Sequence, residues 1–271
     1  MKLACNYCVE AHQLVREGRI DVDYFKLPGL GFQLELLHDL KAFEDFAAQV
    51  CRPILLHGLY PWLNPGTQSL QGYDFTHMDQ LIRLSKTPGL SFHPGTITSR
   101  NHINTAIENL RLLRERYRSM EFVSVENSAE GEDEIPEDIA EIARESGCDF
   151  LLDISHAWCA ARHYNEDLWA YLAKLPLERV HEIHINGWAE KDGATMCHVK
   201  TNEEGYEILA RLLQRCQPNI ITIEYGREDD RLNIGCPLLK PNKFNERAAE
   251  EIAEQVCHIR TIIDQNGGTQ P

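Results

Sequence analysis

Six short apolar segments of this chain each end in a histidine, an aspartate or a glutamate. The segments are ILLHG, LSFHPG, FVSVENS, FLLDISH, VHEIHING and IITIEYG, and the residues in question are His57, His93, Glu126, Asp153, His184 and Glu224, with His156 closing the fourth segment. Imidazole nitrogens and carboxylate oxygens suit zinc, iron and manganese. If the fold gathers these side chains in one place, they predict a metal centre.

Such a gathering of side chains needs positive charge to be stable. Carboxylates and imidazoles that leave water together repel one another and lose hydration unless cations neutralise them. The segments do not supply a matching set of Lys or Arg residues. Divalent ions solve the problem, because a carboxylate can bridge two ions about 3.5 to 4 Å apart. Glu126, which is central in strand order, is the predicted bridge.

The elements that must position these residues alternate along the chain. Short β-branched segments are followed by stretches of helical period, a pattern typical of βα units around a parallel sheet. Eight units can be counted, the number that closes a (βα)8 TIM barrel. The predicted strands are Lys2–Asn6, Asp21–Leu27, Pro53–Gly58, Gly89–Gly95, Glu121–Ser128, Asp149–His156, Val180–Gly187 and Asn219–Gly226. The predicted helices lie near residues 8–18, 32–50, 76–86, 102–118, 136–147, 165–175, 203–215 and 246–265.

Alternation along each strand predicts where the ionisable side chains point. Glu224 shares the parity of Thr222, whereas Ile221 and Ile223 have the other parity. Successive side chains of a strand point to opposite faces, and the apolar set should face the helices. We therefore expect the ionisable residues to point to the barrel axis at the carboxyl ends of the strands, where barrels carry their functional groups. His181 has the parity of the apolar residues and is expected to face the helices.

Lys26 ends the second predicted strand and is the one cation expected near the mouth of the barrel. There it either holds a substrate anion or pairs with a nearby carboxylate. Together with Glu126 and Glu224, it completes the set of candidate catalytic residues.

The chain shows no sign of a domain boundary. No segment rich in Pro, Gly or Ser and no shift of composition divides the 271 residues, so we predict a single α/β domain. Residues 266–271 are expected to form a flexible tail. Two connections after predicted strands, residues 59–75 and 227–245, are long and are expected on the face that carries the site.

Composition restricts the partners and the location. Lys plus Arg number 27 against 42 Asp plus Glu, and the resulting net charge of −15 disfavours nucleic acid. No apolar run approaches the roughly 20 residues of a membrane span, and no secretion signal is evident, so we expect a cytoplasmic protein. Nine cysteines in such a protein are expected to be reduced thiols. Cys5 and Cys8 have CxxC spacing without a second pair, which favours ordinary packing, with Cys5 or Asn6 bordering the pocket as the alternative.

With these motifs in hand, the chain is identified as a member of the xylose isomerase-like barrel superfamily, and it resembles two of its branches. The stretch GCDFLLDISHAWCAARHYNEDLWAYLAKLPLERVHEIHING is similar to the multinuclear non-haem iron-dependent oxidative enzymes of the methanobactin-biosynthesis oxidase type. The motifs LLHG, SFHPG, VEN, LLDISHA, IHING and IEYG resemble the zinc-ligand pattern of endonuclease IV-type apurinic endonucleases.

The second resemblance implies which residues share an ion. One ion would be held by His57, His93 and Glu126, and a second by Glu126, Asp153, His184 and Glu224. His156 and His198 would serve a third ion. Both branches usually have an aspartate two residues before the final histidine, where this chain has Met196. Either the cluster is dinuclear, or Asp192 or Cys197 replaces that aspartate.

The resemblance implies an enzyme with two or three divalent ions per chain. Iron is the expected metal, and zinc and manganese are the alternatives. The oxidative branch implies an oxidoreductase that acts on a peptide cysteine or a small molecule, with a partner protein presenting the peptide. We favour this branch, because the net charge disfavours a DNA substrate. The alternatives are a sugar isomerase or epimerase, a zinc phosphodiesterase of the endonuclease IV type, and a non-catalytic binding barrel with a degenerate metal site.

Overall fold

Eight parallel strands close a barrel and follow one another around its wall in chain order. The computed structural model describes residues 1–27, 33–58, 65–128, 135–191, 194–226 and 244–267. The barrel strands are β1 (Lys2–Asn6), β2 (Tyr24–Leu27), β3 (Ile54–His57), β4 (Gly89–Phe92), β5 (Phe122–Glu126), β6 (Asp149–Asp153), β7 (Val180–Ile185) and β10 (Ile220–Ile223). The circle closes because β1 pairs with both β2 and β10. The predicted TIM barrel is confirmed.

Helices follow the strands and cover the outside of the barrel. They are α1 (Val9–Arg16), α2 (Gln33–His38), α3 (Leu40–Gln49), α4 (Thr76–Ser85), α5 (Arg100–Arg116), α6 (Pro136–Ser146), α7 (Ile154–His163), α8 (Leu168–Leu172), α9 (Glu203–Leu212) and α10 (Glu246–Gly267), with a 3-10 turn at Leu177–Arg179. The stretch predicted as one helix over 32–50 is two helices. Asp39 separates them, because its side chain accepts the backbone N–H groups of Lys41 and Ala42 and so begins α3. Among the described helices, none is long and apolar enough to cross a membrane.

The sequence prediction missed α7. The strand predicted over 149–156 ends at Asp153, whose carboxylate accepts the backbone N–H of His156 at 2.8 Å and caps the new helix. His156 therefore lies on the first turn of α7 and not on a strand.

Residues 187–191 and 194–199 also differ from the prediction, which placed no hairpin there. They form a separate antiparallel hairpin of β8 (Gly187–Lys191) and β9 (Ala194–Val199). Gly187 is required where the hairpin begins, because a Cβ atom there would lie 2.0 Å from the backbone oxygen of Lys200.

Several predicted features lie at or beyond the limits of the described residues. The last helix continues to Gly267, so Asn266, which we assigned to a flexible tail, is helical, and residues 268–271 are outside the described part. Most of the second long connection (residues 227–243), the start of the first (residues 59–64) and Asp192 also fall outside it.

The barrel interior is built in layers beneath the strand ends. The layer near the amino ends of the strands is apolar and consists of Ala4, Tyr24, Leu55, Phe122 and Ile220. Two residues further along the same strands, the next layer contains buried polar side chains such as Lys26, Ser124 and Thr222. The ionisable residues of the mouth follow, with the same parity.

His181 does not face the helices as predicted. The pairing of β6 with β7 shifts register so that Phe150 pairs with Val180 and Leu151 with Glu182, which leaves His181 as an extra residue. This bulge reverses the parity, and the His181 ring stacks on that of Phe122 with centroids 4.3 Å apart. His181 thus lies near the amino end of the barrel, away from the mouth.

Candidate metal centre

Eight ionisable side chains meet at the carboxyl end of the barrel. They form three overlapping groups, within each of which the ligand atoms lie within 4.8 Å of one another: His57, His93 and Glu126; Asp153, His156 and His198; and Glu126, Asp153, His184 and Glu224. Every residue predicted as a metal ligand belongs to one of these groups.

The first group joins β3, β5 and the residue after β4. Nε2 of His57 lies 3.1 Å, and Nε2 of His93 3.5 Å, from the same oxygen, Oε2 of Glu126. The other ring nitrogen of His57, Nδ1, is 2.8 Å from the hydroxyl oxygen of Ser91. Metal-binding histidines usually donate their second N–H in this way, which leaves Nε2 of His57 available as a ligand.

The second group surrounds the buried imidazole of His184. Its Nδ1 lies 3.0 Å from Oε2 of Glu224, 3.3 Å from Oε1 of Glu126 and 3.8 Å from Oδ2 of Asp153. On the opposite side of the ring, Nε2 is 3.2 Å from Oε1 of Glu182 and donates its N–H to that carboxylate. Glu182 therefore fixes the tautomer that presents Nδ1 to the three acids.

The third group draws on α7 and the hairpin. Nδ1 of His156 donates to the backbone oxygen of Asn127 at 2.9 Å, while Nε2 lies 3.9 Å from Oδ2 of Asp153. His198, on β9, has its Nε2 3.3 Å from Oε2 of Glu224.

Asp153 belongs to both the second and the third group, whereas the resemblance implied a place in the second alone. It supplies a carboxylate to the third group in a chain that has Met196 where the resemblance implied an aspartate. Cys197, one of the substitutes we considered, is in none of the groups, and its Sγ contacts Cys159 instead.

Three buried atoms at the centre of the site have no hydrogen-bond partner. They are both carboxylate oxygens of Glu126 and Nδ1 of His184. Leaving a polar group buried and unpaired costs about 1 to 3 kcal/mol, so such groups call for an explanation. A metal ion would account for all three, because each carboxylate oxygen, and Nδ1 of His184 once its proton is displaced, can donate a lone pair to it. The donor set of imidazoles and carboxylates fits zinc, iron or manganese.

The pKa values distinguish groups that can bind a metal ion directly from histidines that must first lose a proton. Burial lowers the pKa of His57 to about 3, so this imidazole is neutral. Burial tends to raise the pKa of Glu126, but the charges of neighbouring histidines outweigh it and keep the carboxyl ionised. Burial opposes protonation of His184 and His198, yet Glu224 raises the pKa of both, to about 9 for His198. A metal ion bound by these two histidines must displace protons.

Lys26 is not at the mouth of the barrel. Its side chain is completely buried one layer below, with Nζ 2.8 Å from Oε1 of Glu182 and 3.1 Å from Oγ of Ser91. Of its two predicted roles, the structure shows pairing with a carboxylate. Contact of the ammonium group with a substrate anion stays a prediction.

Residues that sequence reasoning did not single out orient the ligands. Asn186 donates from Nδ2 to Oδ2 of Asp153 at 3.0 Å, and its Oδ1 accepts the backbone N–H of His198 at 3.0 Å. His198 has a φ of 62°, in the left-handed region that few non-glycine residues adopt, and this hydrogen bond helps to hold it there. Ser91 precedes His93 by two residues and Glu182 precedes His184 by two residues, so each shares the parity of a ligand and could have been predicted from it. Asn186 follows His184 by two residues and so shares this parity, although it lies just past the end of β7.

The CxxC segment is structural. Cys5 packs in the core between barrel and helices, and Sγ of Cys8 accepts the backbone N–H of Ala11 at the start of α1. Asn6 is buried at the end of β1, and its Oδ1 has no hydrogen-bond partner.

Comparison with known families gives a match over half of the chain. The model of the family described as "RiPP precursor modification enzyme MbnB/TglH/ChrH" matches residues 90–233, which include every candidate ligand except His57.

Several relatives carry the name UPF0276 protein. One from Anaeromyxobacter sp. (strain Fw109-5) is 42% identical over 53 residues, which are 20% of this chain and 19% of that protein. One from Paraburkholderia phytofirmans is 26% identical over 237 residues, 83% of this chain and 70% of that protein. The first match thus spans about a fifth of the relative's length.

Solved structures share the fold. A xylose isomerase domain containing protein from Salmonella typhimurium LT2 has a TM-score of 0.61 at 14% identity, covering 97% of both chains. Endonuclease IV from Thermus thermophilus has a TM-score of 0.57 at 18% identity, covering 98% of this chain and 100% of that one. The IolI protein with a bound zinc atom has a TM-score of 0.62 at 14% identity, covering 98% and 99%. At these identities the likeness shows the fold alone, which is the expected xylose isomerase-like barrel.

Proposed function

We propose that this chain, which belongs to the MbnB/TglH/ChrH family of RiPP precursor modification enzymes, is an iron-dependent oxidoreductase that modifies a cysteine-containing precursor peptide. The observation that carries the proposal is the set of three overlapping ligand groups, nearly all of it within the stretch that the family matches. We further propose that a partner protein presents the peptide.

The ligand groups suit a cluster of two or three ions. Glu126 is shared by the first and second groups and Asp153 by the second and third, so each carboxylate could serve two bound ions. Bound iron supplies one-electron redox chemistry and a coordination position for a soft thiolate ligand. Imidazole and carboxylate ligands without a protein thiolate leave that position to the substrate.

The substrate is expected to approach from the side of His93 and His198. Their side chains are 31% and 41% exposed, whereas those of His57 and Asp153 are 5% and 0% exposed. The buried ligands would hold bound ions away from water, and the two exposed histidines border the opening. A peptide thiol entering there reaches the first and third groups before the buried second group.

Two alternatives have weaker support. Sugar isomerisation and phosphodiester hydrolysis rest on structures at most 18% identical, among them a D-tagatose 3-epimerase-like protein and endonuclease IV, and these show only a common fold. The net charge of −15 also opposes binding to a nucleic-acid backbone.

The test is anaerobic loading with Fe(II), followed by exposure to O2 with cysteine-containing peptides encoded beside the gene. We expect an O2-sensitive Mössbauer signal and a peptide whose mass changes only with the iron form. Glu126→Gln should lose iron and activity, while His181→Ala, a barrel histidine outside the ligand groups, should keep both. A zinc form that cleaves abasic DNA, or a sugar isomerised while every peptide stays unchanged, would overturn the proposal.

A further inference from the structure

Two half-buried cysteines face each other beside the third ligand group. Cys159 lies on α7 and Cys197 on β9, and their Sγ atoms are 3.1 Å apart. An S–S bond is about 2.05 Å long, so the sulfur atoms need to move by only about 1 Å to form one. Both are free thiols, separated by 38 positions in the sequence.

The two elements that carry these thiols are already packed together. The indole rings of Trp158, on α7, and Trp188, on β8, stack with centroids 4.7 Å apart and an interplanar angle of 24°. The helix and the hairpin that carry the two sulfur atoms are therefore already in contact next to the pair. The thiols are also partly accessible to a small reagent, since neither cysteine is fully buried.

The position of the pair connects it to the metal centre. α7 supplies His156 and β9 supplies His198 to the third group, and their rings are 5.5 Å apart between centroids. Cys197 directly precedes His198, and Cys159 follows His156 by three residues, about one helical turn. A bond between the cysteines fixes the separation of the two elements that hold these histidines.

We propose that Cys159 and Cys197 are a modification site, at which a reversible disulfide ties the hairpin to α7 next to the third ligand group. The oxidant is a low-molecular-weight disulfide such as oxidised glutathione. One cysteine sulfur attacks it and releases one glutathione, and the other then attacks the mixed disulfide and releases the second. The two electrons and two protons lost by the cysteines are gained by the two glutathione sulfur atoms. The bond requires neither a metal nor a peptide and so does not depend on the proposed function.

The first test uses the purified full chain, with metals removed by a chelator, and oxidised glutathione as the reagent. We expect a mass loss of about 2 Da, a proteolytic fragment that joins the peptides of Cys159 and Cys197, and reversal by dithiothreitol. Cys159→Ser and Cys197→Ser should each abolish the joined fragment, and Cys257→Ser, which removes an exposed thiol elsewhere, should not. Stable glutathione adducts on Cys159 or Cys197 without the joined fragment, or reaction of Cys257 alone, would overturn the proposal.

The second test asks whether the disulfide slows the release of a metal ion from the third ligand group. The zinc-loaded chain is prepared in its oxidised and reduced forms, and the loss of zinc to a colorimetric chelator is followed. We expect one class of zinc to leave several-fold more slowly from the oxidised form, and Cys159→Ser to show no difference after the same oxidant treatment. Equal rates in the two forms would refute the link between the disulfide and the third group.

Discussion

The buried ion pair of Lys26 and Glu182 allows a quantitative test of how the barrel supports its mouth. The two side chains are 1% and 0% exposed, and Nζ of Lys26 lies 2.8 Å from Oε1 of Glu182. The same oxygen accepts hydrogen bonds from Thr222 at 2.6 Å and from His184 at 3.2 Å. Burial tends to raise the pKa of Glu182, but the charge of Lys26 outweighs it, with help from His184, and keeps the carboxyl ionised.

The perturbation is Lys26→Met, which keeps most of the volume and removes the charge. Losing one partner of a buried ion pair typically costs about 3 to 5 kcal/mol of the free energy of unfolding, because the other charge is left uncompensated. Hydrogen bonds to a charged group contribute about 1.5 to 3 kcal/mol each, and Glu182 keeps two of them, so we expect the lower end, about 3 kcal/mol. Adding Glu182→Gln removes the stranded charge but keeps an acceptor for Thr222 and His184. The double variant should therefore be more stable than Lys26→Met alone.

The assay is urea unfolding of the metal-free proteins, followed by circular dichroism with the slopes compared as well as the midpoints. Lys174→Met is the matched control, since it breaks surface ion pairs with Glu166 and Glu137, and it should unfold close to the wild-type midpoint. A loss of less than about 1 kcal/mol for Lys26→Met, or a double variant less stable than the single one, would refute the reasoning. Unchanged stability with lost activity would instead favour contact of Lys26 with substrate.

Three further predictions concern metal binding. His184→Ala should lower the metal content measured by inductively coupled plasma mass spectrometry, and His181→Ala should leave it unchanged, because only the ring of His184 faces the acids at the mouth. Equal losses of metal in the two variants would contradict the assignment of His184 as a ligand. Because Glu224 holds the pKa of His198 at about 9 against the effect of burial, the metal affinity of the third ligand group should rise with pH up to about 9 and then level off. Calorimetry in buffers of different ionisation enthalpy should detect proton release on metal binding below that pH, and an affinity that stays constant from pH 6 to 9 would count against this assignment. Asn186→Ala should weaken metal binding by roughly 10- to 100-fold, since it frees both Asp153 and the backbone of His198, and a chelator competition that finds wild-type affinity would show that the asparagine is dispensable.

Alternation of side chains was sufficient to predict the direction of the ligands on the barrel strands. Glu126 and Glu224 stand four residues after Phe122 and Ile220, which belong to the apolar layer of the barrel interior. Because four is an even number, the side chains of each pair point to the same face of their strand, the barrel axis. The same rule failed at His181, because the bulge there depends on how β7 pairs with β6, a neighbour 30 residues away in the sequence. The sequence of β7 alone therefore does not predict the shift of register.

The depth of Lys26 was beyond sequence reasoning for a related reason. Its position at the end of an apolar segment indicated the mouth, but β2 ends one residue later, at Leu27, and a lysine pointing inward from that level meets Glu182 from across the barrel. The partner lies 156 residues further along the chain. Which inward side chains share a layer is set by the stagger of the closed barrel, a property of all eight strands together.

The third ligand group shows how one carboxylate can connect folding with metal binding. Oδ1 of Asp153 accepts the backbone N–H of His156 and the hydroxyl of Ser155, and these contacts end β6 and begin α7. Oδ2 of the same residue faces the ligands and is held by Asn186, which also fixes the backbone of His198. The turn that places His156 at the mouth is thus made by the residue that would share its ion. Since α7 and the hairpin lie outside the barrel wall, the third group exists only when both pack at the end of β6, and Asp153 is the point at which the three elements meet.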